Sequence, residues 1–220
     1  NTTGLPREYK LERQDIKQVL HAQLGELFKV AKGKLLAQVN RLATKCKFPV
    51  TSEILVAHLN NVALIDEVRL GAFQTLHERQ KLKTPAVIKL LNDKSVAIRL
   101  KALRVLNDLD ASKAQVEAGK ISQKGQVQER QLAYDLMAKS SVNDALLLKQ
   151  VGLATRGKGD REALLEILNS SRTKTSEAFK SKLAAYDTKM AAGKNTDKFA
   201  YAIEGGDVNQ GRDVFFNHGA

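Results

Sequence analysis

The amino-acid sequence predicts an all-α protein, folded as a right-handed superhelix of stacked helical pairs. Three observations carry that expectation. Punctuation is sparse, with three prolines and fourteen glycines in 220 residues, whereas an all-β sandwich or barrel needs turn signals every 8–12 residues or so. The apolar fraction, 43%, supports a substantial core. A nine-residue pattern also recurs at a spacing of about thirty, as VRLGAFQTL at 68–76, IRLKALRVL at 98–106 and ERQLAYDLM at 129–137. A fixed period of that length is the mark of a repeat architecture.

The elements follow in chain order. Pro6 suits a first helical position, and Leu11, Ile16, Val19, Leu20, Leu24, Leu27 and Phe28 recur mostly at three- and four-residue steps, an amphipathic helical pattern. Gly33 marks a break before a second helix, KLLAQVNRLATKC. After Pro49 a helix restarts as EILVAHLNN, with Thr51 or Ser52 as its N-cap. Shorter helical stretches lie between the three copies, at 84–93 and roughly 111–119, and a further pair follows at 142–154 and 160–171. The last helical stretch is TSEAFKSKLAAYDTKM.

In the copies Arg69, Ala72 and Leu76 return as Arg99, Ala102 and Leu106, then as Arg130, Ala133 and Met137. The third copy is degenerate, because Glu129 stands where Val68 and Ile98 stood. One helical hairpin cannot bury its apolar face alone, so such units stack. The alanines let neighbouring helices approach, and Leu76, Leu106 and Met137 fill the space one turn further along.

These residues resemble HEAT repeats of the short, phycobilisome-lyase type. The match is best over LLNDKSVAIRLKALRVLNDL, weaker over 61–78 and 120–139, and fades outside roughly 50–170. The resemblance implies an armadillo-like superhelix with an extended concave face and no single chemistry, since such folds mostly serve as binding platforms. The expected organisation is N-terminal helices over 1–50, repeats over 51–172, C-terminal helices over 173–203 and a separate element over 204–220.

That final element differs in charge and motif. Residues 201–220 carry one arginine against three acids. GGDVNQGRDVFFNHGA is similar to the opening helix of class I c-type cytochrome domains, with Gly206, Asp207, Gly211, Arg212 and Phe215 matching G-D-x-x-x-G-R-x-x-F. In that family a Cys-x-x-Cys-His haem-attachment motif follows. The combination resembles planctomycete-type secreted proteins of the membrane-bound dehydrogenase family, which join a β-propeller, HEAT repeats and a C-terminal haem domain. The resemblance implies a piece of a larger periplasmic or secreted redox protein, cut just upstream of its haem site. Covalent c-type haem is then expected in the parent and no cofactor in this chain.

Charge and candidate chemistry fit a non-enzymatic chain. The net charge is +12, but the basic residues are spread along the sequence without a run of five or six. One cysteine, Cys46, excludes a disulfide framework and a cysteine-based zinc site. No apolar run approaches the 18 or so residues of a membrane span. His21, His58, His77 and His218 lie far apart, so no metal site is expected, and His77 suits a helix C-terminus. Cys46 lies between Lys45 and Lys47, without a nucleophile motif around it. Gly193-Lys194-Asn195 lacks the glycine and the Ser/Thr of a phosphate loop. Asp66-Glu67 and Asp108/Asp110 read as solvated helix-end acids.

Arg69, Arg99 and Arg130 form a row. Such a row either binds carboxylates or phosphates along a groove, or pairs internally with a carboxylate or helix-end carbonyl of the neighbouring repeat. The family resemblance favours the second. The expected function is therefore a scaffold that spaces a dehydrogenase-like propeller from a haem electron-transfer domain, with protein partners or neighbouring domains of the parent. The alternative is a basic HEAT-like nucleic-acid-binding protein similar to the alkylpurine DNA glycosylases. The absence of tryptophan, 5% aromatic content and dispersed basic residues disfavour it.

Overall fold

A computed structural model describes residues 13–45 and 50–193. The described residues form eleven helices and no strand, so the chain is all-α there. The helices are α1 (Arg13–Val30), α2 (Gly33–Lys45), α3 (Ser52–Asn60), α4 (Asp66–Glu78), α5 (Thr84–Leu90), α6 (Val96–Leu109), α7 (Ala111–Lys124), α8 (Val127–Met137), α9 (Asp144–Thr155), α10 (Leu164–Arg172) and α11 (Glu177–Ala192). Contacts divide the chain into two compact units between Leu82 and Lys83.

The first unit holds α1 to α4. Helix α1 packs on α2, and α2 and α3 both pack on α4. Leu24, Ala31, Leu36, Ala37, Val39 and Val68 form one of its buried clusters. Gly33 opens α2 at φ +53, a left-handed conformation that glycine adopts without a Cβ penalty. Thr51 caps α3, its hydroxyl accepting from the Ile54 amide.

The second unit holds α5 to α11. Helix α6 packs beside α8 and α8 beside α10; α5 and α7 lie against α6, and α9 and α11 against α10. Its core runs through Leu103, Ala118, Tyr134, Met137, Leu147, Val151, Ile167, Leu168, Phe179 and Tyr186. Local chemistry sets the helix ends. Pro85 sits in the first turn of α5, where its missing amide hydrogen costs nothing. The Ser95 hydroxyl accepts from the Ile98 amide at the start of α6. Asp110 alone separates α6 from α7, and its carboxylate caps α7 by accepting from the Lys113 amide at 3.1 Å. At the start of α8 the Glu129 carboxylate reaches back to the Gln126 amide.

Two elements differ from the sequence expectation. The helix expected over roughly 111–119 runs on to Lys124, and Gly119 within it faces Asn143 so closely that a side chain there would collide with it. The glycine serves a close approach, and Gly125 ends the helix instead. Likewise the stretch expected to start at 160 becomes helical at Leu164, and Asp160 and Glu162 lie in the turn ahead of it.

Candidate functional site

Helices α4, α6 and α8 place the recurring residues in one register. Arginine is the fourth residue of each helix (Arg69, Arg99, Arg130), alanine the seventh (Ala72, Ala102, Ala133), and Leu76, Leu106 and Met137 follow four residues on. All six of these apolar side chains have 0% exposure. Steps of three and then four residues keep the three positions on one helix face, so each arginine stands at the edge of a buried stripe.

The three guanidinium groups meet different partners. Arg69, buried in the first unit, donates from Nε to the Leu59 carbonyl in the last turn of α3 at 2.9 Å. Arg99 meets Glu129 of α8 through two parallel bonds, Nε to Oε1 at 2.7 Å and Nη2 to Oε2 at 2.8 Å. Its Nη1 donates to the carbonyls of Asp93 and Lys94 in the turn before α6. Arg130 repeats the arrangement two helices later, on α8. Nε and Nη2 reach the two Asp160 carboxylate oxygens at 2.5 and 3.1 Å, Nη2 also reaches Glu162, and Nη1 donates to the Gly125 carbonyl.

Both second-unit arginines therefore hold the turn before their own helix and a carboxylate thirty residues further on. Forked guanidinium–carboxylate contacts are among the stronger and more directional ion pairs. The electrostatics agree. Hydrogen bonding to Arg99 holds the Glu129 carboxyl below the usual carboxylate range, against the opposing effect of burial. The same bond raises Arg99, and Asp160 followed by Glu162 raises Arg130.

Neutral hydrogen bonds add to the joints. Gln131 donates to the Glu162 carbonyl, the Ser170 hydroxyl to the Tyr134 carbonyl, and Gln115 to the Leu136 carbonyl at the end of α8. Lys174, almost fully buried, donates to the carbonyls of Met137 and Ser140 and pairs with Asp144 at 3.0 Å. Tyr134 is fully buried with its hydroxyl on the Ser122 carbonyl, and burial pushes that phenol up to about 12.

The remaining candidates are scattered. His58 lies on α3 with its Nδ1 buried and unbonded, and burial pulls its imidazole down. His77 is in the last turn of α4. Cys46, His218 and the cytochrome-like set Gly206, Asp207, Gly211, Arg212 and Phe215 lie outside the described residues. No group of three His, Cys, Asp or Glu able to hold a metal occurs among the described residues. A c-type haem needs a Cys-x-x-Cys-His run for its thioether bonds, and the 220 residues contain one cysteine, so no haem chemistry is derived for this chain. No described helix is long and apolar enough to cross a membrane.

Sequence reasoning passed over Glu129 and Asp160. Each directly precedes an arginine, in Glu129-Arg130 and Asp160-Arg161. That acid–arginine doublet, thirty-one residues apart, is the signal that identifies them. Searches of family models, curated proteins and solved structures find nothing that matches this chain.

Proposed function

We propose that this chain is a non-catalytic helical-repeat scaffold, with α5 to α10 winding as right-handed stacked pairs. The observation that carries the proposal is the internal use of Arg99 and Arg130. An arginine row that served as an anion groove would present free donors. These two direct theirs to Glu129, Asp160, Glu162 and the backbone of the preceding turn. Such joints fix the spacing of successive helices, which suits a rigid spacer between other domains.

The larger setting rests on the cytochrome-like opening at 204–220. In it the scaffold spaces a dehydrogenase-like propeller from a c-type haem domain of a periplasmic or secreted redox protein. The haem belongs to the parent, and the partners are the parent's own domains or other proteins. Two measurements test the proposal. The coding sequence beyond Ala220 should contain Cys-x-x-Cys-His within about ten residues, as c-type attachment requires, and the extended protein should keep its haem through acid-acetone extraction. A stop codon there overturns the redox setting. Duplex DNA titrated across a salt gradient should show no specific binding. Tight binding that falls steeply with salt, the signature of phosphate neutralisation, overturns the scaffold role in favour of a nucleic-acid-binding one.

A further inference from the structure

Acidic side chains of α8 and α10 lie close to one another where these helices pack. Two residues beyond the buried alanines of α6 and α8 stand Arg104 and Asp135, and thirty-one residues after Asp135 stands Glu166 in the first turn of α10. Helices α6 and α8 pack together, as do α8 and α10. Glu166 is the third residue of α10, one turn before Ser170, whose hydroxyl donates to the Tyr134 carbonyl of α8, so Glu166 stands on the side of α10 that meets α8 beside Asp135.

Glu166 is the unsettled member. It is half-buried, and its Oε2 is buried without a hydrogen-bond partner. A carboxylate oxygen out of water and without a donor is costly in its charged form. Protonation converts that oxygen, or its twin, into a neutral hydroxyl. The charges acting on Glu166 are Asp135 of α8 and Asp160 of the preceding turn, both repulsive. Arg104 of α6 acts on exposed Asp135, and Asp160 is engaged by Arg130.

The other elements against α10 supply no described partner for Glu166. On α9, Asp144 is held by Lys174 and Lys149 is exposed. On α11, Glu177 pairs with Lys180, Asp187 pairs with Arg172, Lys189 donates to the Thr155 carbonyl, and Lys182 lies over Gly152 of α9. Hydrogen bonding to its own amide favours ionised Glu166, but burial and the two acids outweigh it and push the carboxyl up.

We propose that Glu166 is a proton-operated joint between α8 and α10, loosened when its carboxylate is charged and tightened when mild acid neutralises it. The device opposes the Arg99–Glu129 and Arg130–Asp160 pairs, which need charged carboxylates. The sign follows from the raised carboxyl. An acid whose folded value lies above its unfolded value penalises the folded state at neutral pH, and the penalty fades as pH falls through the folded value.

Two measurements on the 220-residue chain test this. The first is the melting temperature across pH 4.5–8 for the parent, Glu166→Gln and Asp135→Asn. Glu166→Gln should melt about 2–4 °C above the parent at pH 7.5, the span that a modest stability gain gives a chain of this size. That difference should shrink as pH falls towards 4.5, whatever the half-buried His58 and the low-lying Glu129 do to both proteins alike. Asp135→Asn should show part of the same effect. The second is hydrogen exchange of α10 amides, corrected for intrinsic rates. Parent α10 should be better protected at pH 5 than at pH 7.5, and Glu166→Gln equally protected at both. A Glu166→Gln protein that melts at or below the parent at pH 7.5, or parent α10 protection that does not change with pH, overturns the proposal.

Discussion

Arg99 of α6 and Glu129 of α8 face each other through two parallel hydrogen bonds of 2.7 and 2.8 Å, both side chains largely withdrawn from water. Glu129 also receives the Gln126 amide at 3.0 Å, so one carboxylate ties two helices and caps one of them. Removing one partner leaves the other charge poorly solvated, which costs more than the pair contributes. Glu129→Met should therefore lose about 1–3 kcal/mol in urea unfolding at pH 7. The double variant Arg99→Met/Glu129→Met should be closer to the parent than the sum of the singles. Strict additivity would show that the pair does not couple the helices. Because Arg99 holds the Glu129 carboxyl low, its contribution is present at neutral pH. It is lost as pH falls through the depressed folded value. Glu129→Gln should therefore flatten the acid limb below about pH 4.5, the ordinary glutamate range.

Arg130 distinguishes between two acceptors. Asp160 is nearly buried beside it, whereas Glu162 is 55% exposed. Water screens the second contact, and exposed pairs contribute little. Asp160→Asn should cost about 1–3 kcal/mol, and Glu162→Gln less than about 0.5 kcal/mol. Arg130→Lys should behave like Asp160→Asn, because an ammonium cannot form the fork. Equal losses at Asp160 and Glu162 would show that the burial difference is not what sets the energy.

The helices were legible because their determinants are local. Apolar steps of three and four, Gly33 ahead of a second helix and Thr51 ahead of Ser52 all act within a turn or two. The thirty-residue return of arginine, alanine and leucine likewise marked where α4, α6 and α8 present the same face. The joints were less visible, because each ion pair forms across thirty residues and its trace in the sequence is no more than a two-residue acid–arginine doublet. Glu129 read as damage to a repeat, since it replaced the apolar Val68 and Ile98. Its burial makes sense only with Arg99 beside it. The extent of α7 was less legible for a related reason: what Gly119 is for depends on Asn143, packed against it from outside the helix.

That glycine gives a prediction with two opposing terms. Alanine in a helix interior is favoured over glycine by about 1 kcal/mol. A Cβ at Gly119 would stand 2.6 Å from Asn143 Oδ1, and Asn143 is tethered by donating to the Gln115 carbonyl at 2.8 Å. To make room, Asn143 must give up that bond, at roughly 0.5–1.5 kcal/mol. Gly119→Ala should therefore be no more stable than the parent. In an Asn143→Ala background the same change should stabilise by about 1 kcal/mol. Chemical denaturation of the four proteins settles it, and stabilisation in the parent background would mean that Asn143 yields freely.

Ala102 tests the packing of the second unit at a recurring, fully buried position. It lies at the seventh residue of α6 with no exposure, and Leu103, Val105 and Leu106 beside it in sequence are buried as well. Helix α6 is packed by α5, α7 and α8, so a ring introduced there cannot swing into water. Interiors close-packed in this way answer added volume with off-rotamer side chains and backbone shifts. Ala102→Phe should cost about 1–3 kcal/mol and lower the melting temperature by several degrees. Val116 on α7, 51% exposed, is the matched control, and Val116→Phe should stay within about 0.5 kcal/mol of the parent. If Ala102→Phe melts with the control, α6 is not held where its neighbours place it. The buried stripe that Ala102 shares with Leu106 would then not be a packing constraint.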